Sequence, residues 1–95
     1  MSTATVSVDI DGKTASWTDG MFFGDPDVLA DALLSVDLQA TFQLGFADVT
    51  AGHDTPLGAA AALAAYKPGR ARFLTLPADV SEHIYGGHND PALFG

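Results

Sequence analysis

The chain has no cysteine, four basic residues and a single glutamate, Glu82. Without thiols there is no disulfide staple, no thiolate nucleophile and no cysteine metal ligand. The bases are Lys13, Lys67, Arg70 and Arg72, too few and too divided to displace counterions from a phosphate backbone. Direct contact with nucleic acid is therefore not expected. Charged residues make up only 17% of the chain, against roughly a quarter in ordinary domains. No stretch approaches 18 uncharged apolar residues, and the Ala-rich segment 57–66 is too short to span a bilayer. The first residues, Met-Ser-Thr-Ala-Thr, lack a basic region and an apolar core of the kind a secretory leader carries. A cytoplasmic protein with no membrane partner is the expectation.

Phosphate-binding and nucleophile motifs are missing as well. The glycines at 45, 52 and 58 do not have the spacing of a dinucleotide fingerprint, and no Gly-Lys-Ser/Thr follows them. Ser2, Ser7, Ser16, Ser35 and Ser81 all stand outside any strand-to-helix nucleophile elbow. No catalytic residue, metal ligand or cofactor is nominated on this basis.

What is present is apolar side chain, 47% of 95 residues. A chain of this length has room for one core, so residues 1–95 form a single domain. A body this small buries only about two-thirds of its unfolded surface. Apolar richness with little charge then favours sharing part of the surface with a second copy or another protein. The net charge is −8, and eleven of the twelve acids are aspartates. Aspartate favours turns and helix starts rather than helix interiors, so much of the acidity marks loop ends and caps.

Along the chain, Val6, Val8 and Ile10 alternate with polar residues, Asp11-Gly12 follows, and Ala15 and Trp17 alternate again. Asp-Gly between alternating runs predicts a two-residue type I′ hairpin pairing Val6 with Trp17 and Val8 with Ala15. The triplet Met21-Phe22-Phe23 between Gly20 and Gly24 continues the second strand or forms a loop. Asp25-Pro26 reads as a helix cap and first turn. Val28, Leu29, Ala32, Leu33 and Val36 form its inward stripe, with Asp27 and Asp31 outside. Residues 40–47 return to period two, Phe42, Leu44 and Phe46 on one face, and predict a third strand. Thr55-Pro56 starts a second helix over 57–66, ended by Lys67-Pro68-Gly69. Residues 70–76 predict an edge or partly covered strand, and Asp79 to Glu82 matches a capping box for a short third helix. The last eight residues have no periodicity, though Leu93 and Phe94 offer anchors. The expected fold is α+β (mixed α/β): a four-stranded mixed sheet with two helices on one face and a short C-terminal helix.

Three function classes remain. A non-catalytic protein-interaction or assembly module fits the size and the missing motifs best, in the manner of accessory, decorating or inhibitor proteins from viruses and mobile elements. Met21, Phe22 and Phe23 are its candidate partner-binding residues, because Met and aromatic side chains dominate interface cores. Phe22 and Phe23 have opposite parity, so one of them leaves the core face of a strand. Trp17, in register with Val6, belongs to the core. The second class is an acidic decoy of a nucleic-acid-binding protein, which would need carboxylates spaced along one face. The third is a small metal- or ligand-binding domain or enzyme using His53, His83 or His88. Glu82, His83, His88 and Asp90 are metal-ligand types within nine residues, but Glu82 and His83 on one helix point about 100° apart. His53-Asp54 is an acid-base pair with no nucleophile beside it.

Overall fold

The computed structural model describes residues 4–85. β1 (Thr5–Ile10) and β2 (Lys13–Thr18) pair antiparallel in the predicted register, Val6 opposite Trp17 and Val8 opposite Ala15. Asp11 and Gly12 have φ of 53° and 88°, the left-handed pair that a type I′ turn requires. Asp19 and Gly20 repeat this at 49° and 86°. The apolar triplet is consequently folded back as β3 (Met21–Gly24), with Phe22 opposite Trp17 and Phe23 opposite Ser16.

Gly24 lets the chain leave this meander. Its φ is 127°, and a Cβ there would stand 2.6 Å from the Ala15 Cα. The next residue, Asp25, donates its N–H to the Thr14 carbonyl at 2.8 Å and caps α1 (Pro26–Asp37) by accepting from the amides of Asp27 and Val28. The inward face of α1 is Val28, Ala32 and Ser35, with Leu29 and Val36 partly buried beside them. Leu33, expected in the stripe, faces solvent. The small side chains Ala32 and Ser35 hold the buried positions where α1 lies against a second helix and the β2–β3 side of the sheet. Ser35 satisfies its own hydroxyl by donating to the Ala32 carbonyl at 2.8 Å.

Residues 40–47 are not one strand. They divide at Gly45, φ 58°, into β4 (Thr41–Leu44) and β5 (Ala47–Thr50), paired with Leu44 opposite Ala47. A left-handed glycine at the first position of a two-residue loop is the II′ pattern. Leu44 is buried and Phe42 partly so, but Phe46 sits in the turn and is 79% exposed. The turn is docked on the C-terminal helix: the Phe46 N–H donates to the Ile84 carbonyl at 2.8 Å.

α2 (Pro56–Ala64) is capped by Thr55, whose hydroxyl accepts from the Gly58 amide at 3.1 Å. Gly58 through Ala64 are all buried. A helix apolar on every side belongs inside the body, and α2 packs against β1, β2, α1, β4 and β5. Its alanines permit that close approach from several directions. A 3-10 turn at Pro68–Arg70 leads to β6 (Ala71–Thr75), which pairs antiparallel with β1 and bulges at Leu74.

The class is α+β, with a four-stranded sheet, two helices on its inner face and a short C-terminal helix. The sheet runs β3-β2-β1-β6 and is antiparallel throughout, where a mixed sheet was expected. The cause is the second Asp-Gly turn, which supplies the fourth strand locally. The expected strand from 40–47 instead makes its own two-stranded sheet, in contact with α2. α3 (Ala78–Tyr85) begins before Asp79, so Asp79 occupies the first turn and not the cap, and the Ser81 N–H bonds the Pro77 carbonyl. Among the described residues, no helix is long and apolar enough to cross a membrane.

Candidate functional site

Alternation along the strands gives the four-stranded sheet two unlike faces. Val6, Val8, Ile10, Ala15, Trp17 and Phe73 are buried on the face that α1 and α2 cover. The other face carries Thr5, Ser7, Asp9, Thr14, Ser16 and Thr18 along its two central strands. Its hydroxyls are paired across the strands, Thr5 with Thr18 at 3.2 Å and Ser7 with Ser16 at 3.1 Å. Arg72 stands opposite Asp9 on β6.

On this open face β3 adds apolar side chains. Met21 lies opposite Thr18 and is 66% exposed; Phe23 lies opposite Ser16 and is 49% exposed. Phe22, of the other parity, turns inward opposite Trp17 and packs against the core. The triplet thus divides into one core aromatic and two surface residues. Trp17 is 3% exposed, and its indole N–H donates to the His53 carbonyl at 2.9 Å.

β3 is also an end strand. Thr18 and Met21 flank a two-residue turn and form a hydrogen-bonded pair, so Phe22, opposite Trp17, directs its own N–H and C=O away from β2. The same alternation applies to Gly24. Soluble proteins blunt such edges with charges, prolines or bulges. The opposite edge, β6, has Arg72 and the bulge at Leu74; Met21–Gly24 is blunted only by its length of four residues and has no charge, proline or bulge.

The other sequence candidates are placed as follows. The His53 and Asp54 side chains meet at 3.2 Å on an exposed loop before α2. The neighbouring Thr55 hydroxyl is occupied as the helix cap. Glu82 and His83 are exposed on α3, while His88 and Asp90 lie outside the described residues, as do Leu93 and Phe94. Among the described residues, no three His, Asp or Glu side chains gather as metal ligands.

Several of the acids are engaged in local structure. Asp11 and Asp19 hold left-handed turn positions, and Asp25 is a helix cap. Lys13 bridges Asp27 at 3.1 Å and Asp25 at 3.8 Å, which raises the pKa of the lysine, chiefly through the hydrogen bond it donates to Asp27. Asp11 meets Lys67 and Arg70 at 3.1 Å each. Its carboxyl is held below the usual aspartate value, first by the Lys67 hydrogen bond and then by that from Arg70. Turn, cap and ion-pair duties account for these aspartates without a carboxylate array.

One feature escaped the sequence reading. Leu33 and Leu34 of α1 and its C-terminal cap Leu38 face solvent, because the segment has more leucines than one stripe can accommodate. The signal was the Leu33-Leu34 doublet, whose members point about 100° apart. Compared with known proteins, the chain matches no family model, no curated protein and no solved structure.

Proposed function

We propose that this protein is a non-catalytic interaction module that adds the β3 edge to a strand of a partner protein, as an accessory component of a larger assembly. The observation that carries this reading is the end strand Met21–Gly24, which is uncharged, unbulged and flanked by exposed Met21 and Phe23. Strand addition draws affinity from main-chain hydrogen bonds and specificity from alternate side chains. Here the outward main-chain groups of Phe22 and Gly24 supply the first, and Met21 and Phe23 the second. Phe22 contributes from below, by packing β3 onto the core.

The reading includes a second copy of the chain as the partner. A two-fold antiparallel pairing of β3 with its symmetry mate sets Phe23 beside Phe23 on the open face, an uncharged aromatic pair of the kind that stabilises sheets.

The test compares wild type with the double variant Met21→Ser, Phe23→Ser. Light scattering across a concentration series reports self-association, and affinity capture from the native host reports other partners. Loss of the captured protein or of the dimer in the double variant, with an unchanged circular dichroism melt, is the expected result. Capture and mass that are the same in both proteins would overturn it.

A further inference from the structure

Leu34 and Leu38 stand one turn apart on the outer side of α1, 55% and 67% exposed. With Asp31, Phe42 and Ala65 they wall an open groove of ≈ 180 Å³. That is below the roughly 300 Å³ at which pockets for small ligands begin, and its openness suits side chains entering from a partner's surface.

The charge in its lining is negative. Leu38 is the C-terminal cap of α1 and Ala65 that of α2, so both helices end at the groove, and helix C-termini carry partial negative charge. Neither helix has a basic residue in its last turn, and α1 ends on Asp37. The cations that follow α2, Lys67 and Arg70, share the single carboxylate of Asp11 and keep one net positive charge, against which stand the two helix ends and Asp37. Asp31 adds a full negative charge to the wall.

We propose that this groove docks a basic amphipathic helix of a partner protein. Large apolar side chains at helical spacing enter between Leu34, Leu38 and Phe42, and Lys or Arg beside them meets Asp31 and the two helix ends. Charge complementarity selects this occupant. A second copy would bring its own α1, with Asp27, Asp31 and Asp37 and no base, against the same acids. The site is on a different element from β3 and stands or falls separately from the strand-addition reading.

The experiment titrates the full chain into a fluorescein-labelled 15-residue peptide of leucine and lysine at helical spacing, followed by anisotropy. Controls are a scrambled peptide of the same composition and a leucine-glutamate analogue. Saturable binding of the first peptide is expected, with the scrambled peptide at least about tenfold weaker. The variant Leu34→Ser, Leu38→Ser should weaken binding at least about tenfold. Asp31→Asn should weaken it about two- to fivefold and flatten its salt dependence. Met21→Ser, Phe23→Ser should bind the peptide as wild type does, whatever becomes of the β3 reading.

Equal binding of the ordered and scrambled peptides, or retained binding by the double leucine variant, would overturn the proposal. So would a concentration-dependent dimer that only the leucine variant abolishes, because the groove would then seat a second copy. Both leucines are exposed, so the variant should fold; an unchanged melt verifies this.

Discussion

Replacing Trp17 with Phe tests how the sheet is tied to the buried helix. Trp17 is 3% exposed, lies between Val6 and Phe22 across the sheet, and donates to the His53 carbonyl ahead of α2 at 2.9 Å. The substitution keeps an aromatic ring but removes part of the buried indole, worth about 1–2 kcal/mol at ~0.8 kcal/mol per buried carbon. It also leaves the His53 carbonyl without its indole donor, for about 1 kcal/mol more. The His53 loop is exposed, and water can take over part of that bond. A total loss of about 2–3 kcal/mol follows, a large part of the roughly 5–14 kcal/mol that a domain of this length possesses. At about 4–8 °C per kcal/mol, the melting midpoint falls by roughly 10–20 °C. Because the chain has one tryptophan, wild type and variant should be compared by far-ultraviolet circular dichroism in heat and in urea, not by fluorescence. A midpoint within about 2 °C of wild type would show that neither the indole bond nor its packing holds these layers together.

Asp25→Ala removes the cap of α1 and the Lys13 contact, and urea denaturation should show a loss of about 1 kcal/mol, within the range for aspartate caps. Asp11→Asn keeps a residue that tolerates the left-handed turn but loses both cations. The depressed pKa of Asp11 means its pairing stabilises the fold above the ordinary carboxylate pKa and is lost as pH falls through the lower folded value. The urea midpoint of wild type should therefore drop more steeply than that of the variant on acidification below about pH 4. Ser81 is buried, and its hydroxyl has no hydrogen-bond partner among the described residues. Ser81→Ala should leave the melting midpoint unchanged or raise it by a few degrees, since an unpaired buried hydroxyl costs about 1 kcal/mol or more; a clear fall would reveal a bond that the hydroxyl makes.

Local chemistry made several elements legible from the residues alone. Asp11-Gly12 admits the left-handed turn and sets the β1–β2 register, in which Val6, Val8, Ala15 and Trp17 share a face. Asp25-Pro26 and Thr55-Pro56 start their helices because side-chain oxygens satisfy the first amides and proline has none to satisfy. Asp19-Gly20 held the same information as Asp11-Gly12, and its second hairpin was readable by the same rule. The opposite parity of Phe22 and Phe23 required one of them to leave the core.

Which one leaves follows from the register of that second hairpin. Phe22 goes in because the second turn sets it opposite Trp17, and Phe23 is left beside Ser16 on the face that no helix among the described residues covers. The break at Gly45 depends on α3, since the chain there docks on Ile84, far along the sequence. Leu33 was assigned inward by periodicity, which gives the direction of each side chain relative to its neighbours but not the direction of the body. That came from α2, whose alanines draw α1 in on its small residues Ala32 and Ser35. Spacing along the chain thus determined the turns, the caps and the alternation. Only the packing of α2 among the sheet, α1 and the β4–β5 hairpin decided which apolar residues were left on the surface, because burial depends on which faces meet.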